Sequence, residues 1–169
     1  MKLHILKIMI GIVALVASSN TVLAACDPLP PPTGEVLLTI GGNVECGNNA
    51  GKADFDRAML DRLPVSALTT TTPWTKGDQK FSGVQLSAVL KRAGVHGKTL
   101  LATAHNDYQV EIPMIDAEKD SVLLAMQHNG EQLTIRTLGP LRVIYPDTNS
   151  NPESYSRMIW QLRTLEARD

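Results

Sequence analysis

Along the chain, apolar positions change period several times, and each change marks an element. Glu35-Val36-Leu37-Leu38-Thr39-Ile40 is an almost continuous apolar run and predicts a buried strand, closed by Gly41-Gly42. Gly47-Asn48-Asn49-Ala50-Gly51 supplies turn chemistry. A helix with Asp54 as its cap then places Phe55, Met59, Leu60 and Leu63 on one face until Pro64 stops it. The β-branched stretch Val65 to Thr72 predicts a strand. Ser82 caps a second helix over Val84 to Ala93, with Leu86, Val89, Leu90 and Ala93 facing the core and Gly94 as its stop.

Beyond Gly94 the pattern turns to strands. Thr99 to Ala104 leads through a polar turn into the alternating Tyr108-Gln109-Val110-Glu111-Ile112, which ends at Pro113. Val122 to Gln127 and Leu133 to Ile135 flank His128-Asn129-Gly130, and Asn-Gly between two strands predicts a tight hairpin. Leu141 to Tyr145 is a further strand, Pro146 to Pro152 a polar loop, and Trp160 to Glu166 the closing strand. Strands dominate and helices are few and short, so the class is α+β, in one domain.

The first residues follow a different logic. Lys2 and Lys7 precede an apolar stretch from Ile8 to Ala17, too short to span a bilayer but suited to the core of a signal peptide. The polar Ser18-Ser19-Asn20-Thr21 leads to Val22-Leu23-Ala24, whose small residues suit signal peptidase. Residues 1–24 are therefore assigned as a signal peptide, 25–34 as a Pro-rich leader carrying Pro30-Pro31-Pro32, and 35–169 as the working domain. The expected location is periplasmic or secreted, and no later stretch predicts a membrane span. Removing Lys2 and Lys7 moves the formal charge from −1 to about −3, which leaves no basic surface for nucleic acid.

Cys26 and Cys46 are the two cysteines, and two readings stand. In one they form a disulfide pinning the leader to the first hairpin, as an oxidising compartment favours. In the other, Leu23-Ala24-Ala25-Cys26 is a lipobox and Cys26 carries a lipid anchor. The polar Ser18–Thr21 segment and the thiol that acylation would strand at Cys46 favour the disulfide.

Standard site motifs are missing. There is no CxxC, HExxH, Gly-rich phosphate loop or GxSxG elbow, and the sequence supports no metal site. The carboxylate sets Asp54, Asp56, Asp61 and Asp116, Glu118, Asp120 are expected to be solvated faces. The richest local feature is the turn Ala104-His105-Asn106-Asp107-Tyr108, which packs four hydrogen-bonding side chains between apolar strands. Turn service alone explains Asn106 and Asp107. The functional alternative sets His105, Asn106, Asp107 and Tyr108 at a pocket rim with Arg142, an arginine on an apolar strand that either pairs with a carboxylate or offers a fork to an anion. Arg157, beside Trp160, reads as surface packing.

Several segments together resemble a known family. Phe81-Ser82-Gly83-Val84-Gln85-Leu86-Ser87-Ala88-Val89-Leu90-Lys91-Arg92-Ala93-Gly94 is similar to the F/W-x-G-V-x-L-x-x-L-L-x-x-A-G signature of the sulfite-oxidase-type oxidoreductase molybdopterin-binding domain. Asp107 to Pro113, Leu123 to Leu133 and Gly139 to Pro146 follow that family's pattern in order, and the likeness runs from Gly34 onward. The resemblance implies a mostly β molybdopterin-binding fold and makes molybdopterin the cofactor to test. It also implies a metal-ligand cysteine on the strand before Phe81, where this chain has Leu68-Thr69-Thr70-Thr71-Thr72-Pro73-Trp74 and no cysteine. A threonine hydroxyl is a poor substitute for a soft thiolate. The first expectation is thus an exported module that binds a small ligand or an envelope partner without a complete metal site. The second is a working molybdopterin-dependent oxidoreductase whose metal sits among oxygen ligands.

Overall fold

The computed structural model describes residues 26–72, 74–119, 121–146 and 152–169, so the assigned signal peptide and most of the loop Pro146 to Pro152 lie outside the described residues. The chain runs β1 (Val36–Gly41), β2 (Ala53–Asp56), α1 (Arg57–Leu60), β3 (Val65–Thr70), β4 (Gln79–Gln85) and α2 (Leu86–Ala93). It continues through β5 (Thr99–Ala104), β6 (Gln109–Pro113), α3 (Met114–Ala117), β7 (Leu123–His128), β8 (Glu131–Gln132) and a 3-10 turn (Ile135–Thr137). The last elements are β9 (Arg142–Ile144), α4 (Pro152–Arg157), β10 (Ile159–Trp160) and β11 (Leu162–Arg168).

Two sheets result. One has the order β2-β1-β11-β5-β6, and the other β10-β9-β7-β4-β3 with β8 added on β7. β1 pairs with β11 in parallel, and the remaining ladders are antiparallel. A single cluster of buried apolar side chains joins the sheets, with Leu38, Ile40 and Leu165 from the first and Val84, Leu124 and Val143 from the second. No helix among the described residues is long and apolar enough to cross a membrane.

Where the structure departs from the sequence pattern, tertiary pairing decides. The first helix is capped by Asp56 rather than Asp54: the Met59 N–H donates to Asp56 Oδ1 at 2.8 Å, while Ala53–Asp56 belongs to a strand paired with β1. Asp54 and Asp56 are buried and only Asp61 of that set is exposed, so the expected solvated face is corrected. Asp54 accepts from Thr39 Oγ1 at 2.6 Å and Asn49 Nδ2 at 2.8 Å. Ser82 caps nothing, because β4 carries on to Gln85 between two partner strands and Ser82 Oγ donates to Gln127 Oε1 at 2.9 Å. Gly94 does end α2, in the left-handed region.

The Asn129-Gly130 turn forms as expected, both residues having positive φ. Its second strand stops at Gln132, because Thr134 and Thr137 bond each other's backbone and side chain and wind the following residues into the 3-10 turn. The closing strand is interrupted. Gln161 sits at φ 52°, which leaves Trp160 on β9 in one sheet and starts β11 in the other. Asp116 is also not solvated: its side chain is 16% exposed and accepts from Arg157 Nη1 at 2.6 Å.

Cys26 and Cys46 are joined as a disulfide, with Cα atoms 5.6 Å apart. The leader lies along the domain, Leu29 buried and its N–H donating to the Cys46 carbonyl at 3.2 Å, while Arg92 Nη1 donates to the Asp27 carbonyl at 2.9 Å. This bond occupies the sulfur that a lipid anchor on Cys26 would need.

Candidate functional site

At the end of β3 the threonines turn the chain. Thr72 Oγ1 pairs with Thr75 Oγ1 at 2.7 Å and accepts from the Trp74 N–H at 3.3 Å, a side-chain-closed turn. It brings the Trp74 ring edge-on to Trp160, with centroids 4.4 Å apart and planes at 81°. Trp160 is there because of the break at Gln161. On the other side, the turn between β5 and β6 closes through the Asp107 N–H to the Ala104 carbonyl at 3.1 Å and the Tyr108 N–H to Asn106 Oδ1 at 3.2 Å, with Asp107 in the left-handed region. α4 completes the enclosure, its Tyr155 hydroxyl 3.0 Å from Thr71 Oγ1.

These elements surround a cavity of about 470 Å³, within the range of small-ligand sites. Trp74, Tyr108, Tyr155 and Trp160 form its walls, the buried Met158 and Ile159 its floor, and Asn106 and Ser156 its rim. Phe55, Phe81 and Tyr145 are buried in the core. Every aromatic side chain outside the core therefore lines this one cavity, in a chain with only two Trp, three Tyr and two Phe. That concentration distinguishes it from the larger groove of about 930 Å³ beside the disulfide and α2, which has no aromatic carbocycle and mixes Lys91, Arg92, His96 and Glu118.

The structure divides the residues expected at a pocket rim. Asn106 and Tyr108 line the cavity. His105 and Asp107 lie in the same turn but work within the fold: the His105 N–H donates to the Gln161 carbonyl at 2.9 Å, and Asp107 pairs with Arg163 at 3.1 Å. Arg142 is not brought to this rim. It is buried, its Nε donates to the Leu138 carbonyl at 3.1 Å and Nη2 to the Thr137 carbonyl, and its guanidinium lies 5.9 Å from the Phe81 centroid. Among the described residues, no carboxylate pairs with it. His128 stacks on Phe81 at 4.7 Å, and burial, followed by the charge of Arg142, holds its pKa below the usual histidine value. Arg157, expected as surface packing, is tied to Asp116 and to Glu153.

Sequence reasoning missed Trp74 and Tyr155 as site residues. Aromatic scarcity was the available signal, since Trp74 sits in the polar run Thr69 to Lys80, where no core needs it.

The family described as the oxidoreductase molybdopterin binding domain matches residues 38–153. The chain belongs to that family. It is 31% identical over 77 residues to the uncharacterized oxidoreductase YuiH of Bacillus subtilis (strain 168), covering 44% of this chain and 39% of the relative. The fold matches the sulfane dehydrogenase SoxCD from Paracoccus pantotrophus with a TM-score of 0.62 and 25% identity, over 78% of this chain and 38% of that one. The architecture is thus the mostly β sulfite-oxidase-type fold, and the chain spans about two fifths of the length of these relatives.

Membership makes molybdopterin the group against which the residues are tested. In the stretch Leu68 to Trp74, where the resemblance implies a thiolate, the hydroxyls of Thr71 and Thr72 are engaged with Tyr155 and Thr75. Both cysteines are bonded to each other, beside the groove at α2. Among the described residues, no cationic side chain lines the aromatic cavity to meet a pterin phosphate. Among the described residues, no three His, Cys, Asp or Glu side chains are grouped to hold a metal. These donors do not fit a thiolate-held molybdenum cofactor.

Proposed function

We propose that this chain is an exported binding module that keeps the architecture of the molybdopterin-binding oxidoreductases and uses the aromatic cavity to hold a small ligand, without a complete metal site. The carrying observation lies at the end of β3: the stretch Leu68 to Trp74, where the resemblance implies a thiolate, carries threonines and no cysteine, and the turn closed by Thr72 and Thr75 delivers Trp74 to the cavity. A hard, already bonded hydroxyl offers molybdenum little, whereas four aromatic walls offer a ligand a large apolar surface. Export rests on the Lys2, Lys7 and Ile8–Ala17 pattern ending at Ala24, and the Cys26–Cys46 disulfide accords with an oxidising compartment.

Family membership favours a second reading, a molybdopterin-dependent oxidoreductase with the metal among oxygen ligands. One measurement separates them: molybdenum content and released pterin fluorescence of native protein taken from the cell envelope. A metal-to-protein ratio near zero, in cells that load their other molybdoenzymes, is expected. A ratio near one overturns the binding-module reading. Intact mass of the same material should begin at Ala25 and carry no lipid.

A further inference from the structure

The cavity's chemistry narrows the ligand class, and this step rests on the binding-module reading above. Among the described residues, the lining carries neither a carboxylate nor a cationic side chain, so neither sign of charge finds a partner there. Its polar groups are mostly donors. The indole N–H groups of Trp74 and Trp160 and the Tyr108 hydroxyl make no hydrogen bond among the described residues. Asn106 spends its Oδ1 on the Tyr108 N–H, which leaves its Nδ2 hydrogens for another acceptor.

Each ligand class meets this set differently. An anion would be desolvated without a counter-charge. A quaternary ammonium would gain ring faces but meet N–H and O–H donors and no carboxylate. A pure hydrocarbon would strip water from the donors and return nothing. A flat ring bearing carbonyl oxygens satisfies both halves of the site, with its faces against the aromatic walls and its oxygens accepting from the donors. We propose that the cavity binds an uncharged planar ring compound carrying carbonyl acceptors, of the quinone type.

Equilibrium dialysis of the disulfide-intact protein against four probes tests this: menadione, methylnaphthalene, trimethylphenylammonium and flavin mononucleotide. Adduct formation with the quinone is not a concern, because both cysteines are bonded. Menadione should bind saturably at one site, with methylnaphthalene at least about tenfold weaker for want of acceptors. Tyr108→Phe keeps its ring and removes one donor, so it should weaken menadione by about three- to tenfold and leave methylnaphthalene unchanged, whereas Trp74→Phe removes a donor together with part of the aromatic wall and should weaken both, menadione more. Circular dichroism checks that both variants fold. Equal binding of menadione and methylnaphthalene overturns the carbonyl assignment, as do tighter binding of trimethylphenylammonium or flavin mononucleotide and the absence of saturation by menadione. With molybdenum absent, those results strike the ligand class alone. Stoichiometric pterin in native protein strikes the binding-module reading instead.

Discussion

Replacing Arg142 separates a structural role from ligand contact. The side chain is buried, with its guanidinium over the Phe81 ring and donating to two carbonyls of the turn at Thr137 and Leu138. Truncation to alanine has three consequences. The Leu138 carbonyl keeps a partner in the Gln161 N–H at 3.1 Å, and Thr137 lies on an exposed turn where water reaches it. The two lost charge-assisted bonds are therefore largely offset by no longer holding a guanidinium out of water, a burial that presses the arginine pKa down. The loss of the two buried methylenes beyond Cβ remains, at about 0.8 kcal/mol each, or about 1.6 kcal/mol. A domain of this size shifts by about 2–4 °C per kcal/mol, so Arg142→Ala should melt about 3–6 °C lower. Arg142→Met, which restores the stem, should stay within about 1 kcal/mol of the parent. Thermal unfolding followed by circular dichroism, with menadione dialysis on the same samples, reads both effects. An alanine variant that melts like the parent yet has lost its ligand would refute this reasoning and place the guanidinium in the site.

Two further predictions follow from the frame around the site. Hydrogen bonds from Met59, Gly34 and Thr33 hold the Asp56 carboxyl at about 2, below its ordinary 3.8, so its stabilising effect is complete above about pH 4 and disappears as pH falls towards 2. The stability gap between the parent and Asp56→Asn in urea titrations should therefore shrink over that window, and a gap independent of pH would count against it. The Cys26–Cys46 bond closes a separation of 20 residues, for which chain entropy gives about 3 kcal/mol. Reduction should lower the melting temperature by roughly 6–12 °C while menadione binding at the aromatic cavity persists in the folded protein; an unchanged melt would show that the leader's packing alone holds it.

Much of the frame was legible in the sequence because its signals are local. Apolar runs placed β1, β5 and β7, the Asn129-Gly130 pair placed a hairpin, and Gly94 placed the end of α2. The errors arise where two local readings are equally good and a distant strand chooses. Asp54 and Asp56 are both capping residues, and the Val36–Asp56 pairing selects the second. Ser82 suits a cap or a strand, and Gly83 reveals why the strand prevails. A Cβ there would stand 2.1 Å from the Leu124 carbonyl oxygen, so β4 passes β7 closely at that point and cannot yet be helical. Of the site, the Asn106–Tyr108 turn was visible as turn chemistry. Trp160 to Glu166 reads as one strand in the sequence, but Gln161, an ordinary polar residue, takes a left-handed conformation that no local signal announces and splits it between two sheets.

The wall formed by α4 shows how the cavity depends on groups that never face it. A helix of six residues has too few internal bonds to persist alone. It is held at one end by Arg157, whose Nη1 reaches Asp116 on α3 at 2.6 Å, with both side chains largely shielded from water. The buried Tyr145 hydroxyl lies 3.5 Å from the same carboxylate, and burial followed by that negative charge pushes its pKa well up, so it stays a neutral donor. At the other face, Tyr155 meets Thr71, one of the threonines standing where the family resemblance implies the thiolate. The hydroxyl run at the end of β3 therefore has two structural tasks, closing the turn that presents Trp74 and steadying the helix that presents Tyr155. A cysteine at Thr71 or Thr72, as a thiolate ligand, would give up one of them, so on the binding-module proposal the aromatic cavity and a thiolate-bound metal are alternatives for this stretch of chain.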